Sequence, residues 1–274
     1  MTAIGNAYEP SRGVMRRIGR KWTALRRVAP LTRDVPGFCL SICFDDVPVS
    51  AATVGAETLD RHEVAGTWHI ATGLFGTTGI SGEIAGPGHV RGLADSGHEV
   101  ALHGHAHEDM SRMTPDAALA DIARNRAALS DLLGHAPSGH FAYPFGATTL
   151  ALKKRLVGEV TSARGVLAGR NGARTDAMQL AAHDLRPDPR TVARARAAMA
   201  SAAQGGGWII LFTHDVTPEP SPYGISPETL DSLIAEAKAL GAMILPTGQV
   251  WRRHMTGAHE QAATDPADVR ARNG

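Results

Sequence analysis

The feature that most restricts this chain is a set of short apolar runs that do not alternate. Phe38–Phe44 and Trp208–Thr213 are apolar almost throughout. A strand of that kind needs both of its faces covered, as in a parallel sheet packed between helices. Gly66–Ala71, Glu99–His103, His140–Tyr143, Val160–Ala163 and Ala242–Pro246 complete a set of seven candidate strands. Helical patterns fill the gaps. Ser226-Pro227-Glu228 supplies an N-cap with proline in the first turn. Leu230, Leu233, Ile234, Ala237 and Leu240 then form one apolar stripe, which Gly241 closes. Thr114-Pro115-Asp116 opens a second helix, with Leu119, Ile122, Leu129, Leu132 and Leu133 predicted to face inward. Residues 50–63, 86–96, 148–157 and 190–203 are further candidates. This alternation predicts an α/β chain whose seven strands form a closed or nearly closed β/α barrel rather than a flat sheet.

The length of 274 residues and a hydrophobic content of 43% allow a sizeable core. A net charge of +1 gives no reason to expect a nucleic-acid surface. The charge is uneven, however. Arg12, Arg16, Arg17, Arg20, Lys21, Arg26, Arg27 and Arg33 face only Glu9 and Asp34 within residues 1–38. This basic arm, residues 1–37, reads as a solvated segment or helix packed on the domain. The other reading is a weak contact surface for an anionic partner or lipid headgroups. The main domain is expected over 38–253 and a loose polar tail over 254–274. Cys39 and Cys43 share one predicted strand. They would lie ~13 Å apart there, too far for a disulfide, so both read as reduced core residues. With no secretory leader and no membrane-length apolar stretch, the expected location is cytoplasmic.

Reactive side chains gather at the ends of these runs. Asp45 and Asp46 close the first, His103 and His107 the third, Tyr143-Pro144-Phe145-Gly146 the fourth and His214 the sixth. Strand C-termini form the rim on which β/α barrels build active sites. One aspartate and two histidines supply three ligands to a divalent ion and leave room for water and substrate, as catalytic sites do. Adjacent aspartates point in different directions, so one can ligate while the other accepts a proton from metal-activated water. The Tyr143–Gly146 turn can present a backbone N–H to an oxyanion, and His214 is the natural general acid. His105, between the two histidines, is assigned a supporting or exposed place, and His69 a structural one. The tryptophans are expected to pack, although one at the rim would stack on a sugar.

In their order and spacing these residues resemble the polysaccharide deacetylases of the NodB-homology type, carbohydrate esterase family 4, over roughly Phe38 to Val250. The resemblance implies an irregular (β/α)7 barrel, the NodB-type deacetylase fold. It implies Asp45 as the base, Asp46, His103 and His107 as metal ligands, and His214 as the acid. Tyr143, Pro144 and Phe145 would line the groove, with Phe145 supplying the oxyanion amide. The implied cofactor is one divalent ion, Zn²⁺ in the first place, with Co²⁺ or another divalent ion as substitutes. The implied substrate is an acetylated saccharide that loses an N- or O-linked acetyl group.

Two departures mark a divergent branch. The family's third motif opens with an arginine that orders the catalytic aspartate, and here that position is Ala142. The family's fourth motif, an aspartate that tunes the acid histidine, is replaced by Ser162-Ala163-Arg164-Gly165-Val166. Arg164 is therefore expected to support Asp45 from another strand, and Asp184 or Asp176 to assist His214. The competing functions are hydrolysis of another small or cyclic amide on the same fold, and sugar binding by a catalytically decayed barrel.

Overall fold

A computed structural model describes residues 23–255 of the chain. Most of the basic arm and the polar tail lie outside the described residues. The described residues form ten strands: β1 (Phe38–Asp45), β2 (Thr67–Ile70), β3 (Thr78–Gly79), β4 (Gly82–Glu83), β5 (Glu99–Leu102), β6 (Ser138–Ala142), β7 (Ser162–Arg164), β8 (His183–Asp184), β9 (Gly207–Thr213) and β10 (Met243–Ile244). Among the described residues these helices pack against them: α1 (Ala56–Arg61), α2 (Pro87–Asp95), α3 (Pro115–Leu133), α4 (Leu150–Leu156), α5 (Pro189–Gly205), α6 (Pro227–Ala239) and α7 (Thr247–His254).

The seven expected strands and six expected helices all form. The hairpin β3–β4, the two-residue β8 and the short helix α7 are additions that the sequence pattern did not disclose. As read from the sequence, the Ser226 and Thr114 hydroxyls accept from the backbone N–H of Thr229 and Ala117. Gly241, just past α6, takes the left-handed conformation at φ 77°.

The main sheet is parallel, in the order β7-β6-β5-β2-β1-β9-β8. β10 pairs with the first half of β1 (Cys39 with Met243), whereas β2 pairs with its end (Asp45 with His69). The sheet curls until one segment joins its two ends. Leu180 bridges Arg164 of β7, and three residues later His183–Asp184 pair with β9. The result is an irregular, curled barrel of parallel strands.

β1 shows how the barrel is filled. Phe38, Leu40, Ile42 and Phe44 point outward into the main core beneath the helices. Cys39 and Cys43 point into the lumen beside Trp208, Ile210 and Phe212 of β9, and both are free and buried. Ser41, between them, accepts a hydrogen bond from Trp208 Nε1 at 2.9 Å. Asp45 is next on this inward row. Among the described residues no helix is long and apolar enough to cross a membrane.

Candidate active site and metal centre

The inward row of β1 ends in strained backbone. Val47 N donates to Asp45 O at 2.5 Å across a single residue, and that residue, Asp46, has φ 58°. Such a tight turn with positive φ is costly for a residue with a Cβ. It separates the neighbouring carboxylates. Asp45 stays in the lumen, 5% exposed, while Asp46 turns across the rim. His107 (φ 52°) and Phe145 (φ 57°) are also left-handed. Strain thus gathers on the residues that meet here.

Asp46, His103 and His107 come together so that their ligating atoms all lie within 4.8 Å of one another. Asp46 Oδ1 is 3.2 Å from His103 Nε2 and 2.8 Å from His107 Nε2. The tautomer of His103 follows from its other nitrogen. Nδ1 lies 2.8 Å from the carbonyl of Ala142, which can only accept, so Nδ1 carries the proton. In the neutral ring, Nε2 is then a bare lone pair facing a carboxylate oxygen. Two acceptors at that distance repel unless a cation lies between them.

Electrostatics point the same way. Burial disfavours ionisation of Asp46, but His107 and His103 outweigh it and hold the carboxyl well below its ordinary pKa. Burial also disfavours positive charge on His103, yet Asp46 and then Asp45 raise its pKa. The position attracts positive charge, and the donor set of two imidazoles and one carboxylate fits a divalent ion.

Asp45 has a different partner. Arg164 Nη2 donates to Asp45 Oδ1, and the guanidinium also lies 4.6 Å over the Phe212 ring. Burial alone would raise the Asp45 pKa, but Arg164, followed by the nearby imidazoles, brings it down to about 2. The register explains how Arg164 arrives there. Ala142 of β6 and Arg164 of β7 are direct Cα partners. A side chain from either strand enters the same part of the lumen, so Arg164 reaches the carboxylate that an arginine at 142 would also reach.

His214 closes the other side, with Nε2 3.9 Å from Asp46 Oδ2. Its Nδ1 donates to the Tyr223 carbonyl at 3.3 Å. Neither expected aspartate assists it. Asp176 accepts from Val28 N and Ala29 N and pairs with the buried Lys153 at 2.7 Å, anchoring the chain ahead of the barrel. Asp184 pairs with Arg186.

The turn Pro144–Gly146 sits beside the metal-site histidines, with the Phe145 ring 4.7 Å from His107. Tyr143 does not line the groove. Strand alternation turns its ring outward into the helix-side core, and its hydroxyl donates to Met178 O at 2.9 Å. His69 is buried, with Nδ1 3.3 Å from Leu102 O, as a structural residue would be. His105 is half-buried on Thr72. Trp68 and Trp208 are fully buried, so neither offers a sugar platform.

Sequence reading missed two residues of α3. Asp121 accepts from the backbone N–H of His105 (2.7 Å) and Ala106 (3.0 Å). Asn125 accepts from His103 N and donates to Ile70 O and Thr72 Oγ1. Together they hold the loop that carries both histidines. A Cβ on Gly104, which lies between them at φ 78°, would come within 2.7 Å of Asp121 Oδ2. The signal was present: the buried stripe of α3 is Ala118, Asp121, Ile122, Asn125 and Leu129, with two polar residues on an otherwise apolar face.

Comparison with known proteins bears on the fold and the family. The family model described as polysaccharide deacetylase matches residues 32–158, a stretch that includes Asp45, Asp46, His103, His107 and Phe145. Over that stretch the chain is similar to the polysaccharide deacetylases. Its fold is shared with many solved structures. A family 4 acetyl xylan esterase from Clostridium thermocellum, in complex with a cobalt ion, is 25% identical with a TM-score of 0.52; the match covers 78% of this chain and 90% of that one. A putative polysaccharide deacetylase from Mycobacterium smegmatis is 18% identical with a TM-score of 0.56, covering 83% and 94%. The chitin deacetylase of Colletotrichum lindemuthianum is 16% identical with a TM-score of 0.56, covering 82% and 92%. No curated protein matches the chain.

Proposed function

We propose that this chain is a polysaccharide deacetylase, a metal-dependent hydrolase that removes acetyl groups from an N- or O-acetylated saccharide. The observation that carries the reading is the convergence of Asp46, His103 and His107 between an ionised, arginine-paired Asp45 and the Nε2 of His214. Asp46, His103 and His107 would hold the ion, and their ligand chemistry favours Zn²⁺. When bound, such an ion polarises the acetyl carbonyl and acidifies water at the site.

The remaining work belongs to the chain. Asp45 accepts the proton of the attacking water, and Arg164 keeps it ionised for that step. The backbone N–H of Phe145 donates to the oxyanion as the carbonyl becomes tetrahedral. His214 delivers a proton from Nε2 to the departing amine or hydroxyl while the Tyr223 carbonyl holds Nδ1. The products are acetate and the deacetylated sugar. The domain limits of 38–253, and a weak contact of the basic arm with an anionic partner, belong to the same proposal.

The test is acetate release from a panel of N- and O-acetylated oligosaccharides, alongside cyclic amides, with and without chelator. Chelator-sensitive acetate from a saccharide supports the reading. Turnover of cyclic amides alone, or saccharide binding with no acetate released, would replace it.

A further inference from the structure

The residue after His214 is an aspartate that the chemistry above does not use. Asp215 is 2% exposed. Its carboxylate accepts from Ser221 N at 2.7 Å and from Ser221 Oγ at 2.5 Å. Ser221 Oγ in turn accepts from Tyr223 N at 3.1 Å. At the stem of the loop, Ile225 N donates to Asp215 O at 3.0 Å and Thr217 N to Ile225 O at 3.2 Å. Gly224 packs so closely on Asp215 that a Cβ there would meet Cγ and both oxygens at 2.4 Å.

These bonds have one common result, which is to fix the carbonyl of Tyr223. It accepts from His214 N at 3.2 Å, from His214 Nδ1 at 3.3 Å and from Thr213 Oγ1 at 3.2 Å. The Tyr223 ring lies 5.6 Å from the imidazole and is covered on its other neighbour's side by Arg186 at 5.0 Å. An imidazole that must donate from Nε2 needs an acceptor on Nδ1 to set its tautomer and its orientation. A loop carbonyl does this only where the loop is fixed, because loops are otherwise among the more mobile parts of a fold.

We propose that Asp215 and Ser221 are positioning residues for His214, acting through the loop that presents the Tyr223 carbonyl. The proposal rests on the reading of His214 as general acid. It assigns to a backbone group, held by a buried carboxylate, the orienting task that an aspartate side chain was expected to perform.

The experiment compares an alkyl acetate, whose leaving group needs a proton, with an activated aryl acetate, whose leaving group does not. Ser221→Ala, Asp215→Asn and Gly224→Ala are measured beside His214→Ala, with metal content determined for each. If the proposal holds, Ser221→Ala and Asp215→Asn lower kcat on the alkyl acetate by about tenfold or more, a part of what a lost acid costs. KM and metal content stay unchanged, and the aryl acetate rate stays within about twofold. Gly224→Ala shows the same split, and Ser221→Thr, which keeps the hydroxyl, restores the rate. Equal losses on both esters, or no loss from Ser221→Ala, would overturn the proposal while a split for His214→Ala leaves the acid reading standing. If His214→Ala itself shows no split, the acid reading falls and this proposal falls with it.

Discussion

The two ends of the barrel are both polar, but they differ in how their carboxylates are held and in how much backbone strain surrounds them. At the lower end, Glu99 accepts from Thr67 Oγ1 and Ser138 Oγ at 2.7 Å each, and from Gly248 N at 2.9 and 3.0 Å. Both carboxylate oxygens are fully engaged, beside a cavity of about 880 Å³. Among the described residues, Asp46 Oδ1, His69 Nε2 and Arg164 Nε at the rim are buried without a hydrogen-bond partner, against His98 Nε2 at the lower end. Asp46, Val47, His107 and Phe145 all carry positive φ there. The carboxylate of Glu99 is closed by its own donors, whereas the rim combines orphaned polar atoms with backbone strain, a combination that is common at ligand sites. The cavity marks the quiet end, and none of the candidate catalytic residues lines it.

The sharpest way to break this contrast is at the histidines. His103→Ala or His107→Ala should each abolish metal binding and lower the rate by about 10³-fold or more, since the ion supplies several kcal/mol of charge stabilisation. Metal analysis beside turnover checks this; a His103→Ala protein with full metal and full turnover would remove the assignment. Next comes the base. Asp45→Asn should keep the metal and lose roughly 10²–10⁴ in rate. Loss of metal there, with retention in Asp46→Asn, would mean that the two aspartates have exchanged roles.

The lower end should respond in the opposite currency. Glu99→Ala strands the Thr67, Ser138 and Gly248 donors and should cost about 2 kcal/mol of stability, read as a lower urea midpoint, with kcat of the folded protein unchanged. A change in kcat at constant midpoint would erase the distinction between the two ends.

The smallest effect is a pH slope. Burial depresses the pKa of His98 and His140, both of which line the lower cavity. The unfolded chain takes up these protons at about pH 6.5, where the folded protein does not. Their contribution to stability is therefore intact above that pH and declines as pH falls below it. Urea midpoints at successive pH values should show this decline, and His140→Phe should make it shallower. An unchanged slope would assign the protons elsewhere.

Most of the frame was legible because strands buried on both faces tend to be continuous apolar runs, a rule that Phe38–Phe44 and Trp208–Thr213 follow most closely. β8 and the β3–β4 hairpin were not, since two residues carry no periodicity. At the site, the carboxylates and imidazoles could be found because chemistry restricts residue type and strand ends restrict position. Asp121 and Asn125 could not, because they act from a helix on a loop more than ten residues earlier, a pairing visible only once α3 has docked. Tyr143 misled because its motif was read as a unit, whereas strand alternation sends Ala142 inward and its neighbour outward.

The register of Ala142 with Arg164 makes these two positions evolutionarily dependent on each other. An arginine restored at 142 in the present chain would enter space already held by a guanidinium and set two like charges beside one carboxylate. In an Arg164→Ala background the same substitution would meet an unpaired buried aspartate and relieve it. One mutation is thus harmful or beneficial according to the other, which is sign epistasis arising from a single pair of neighbouring strands.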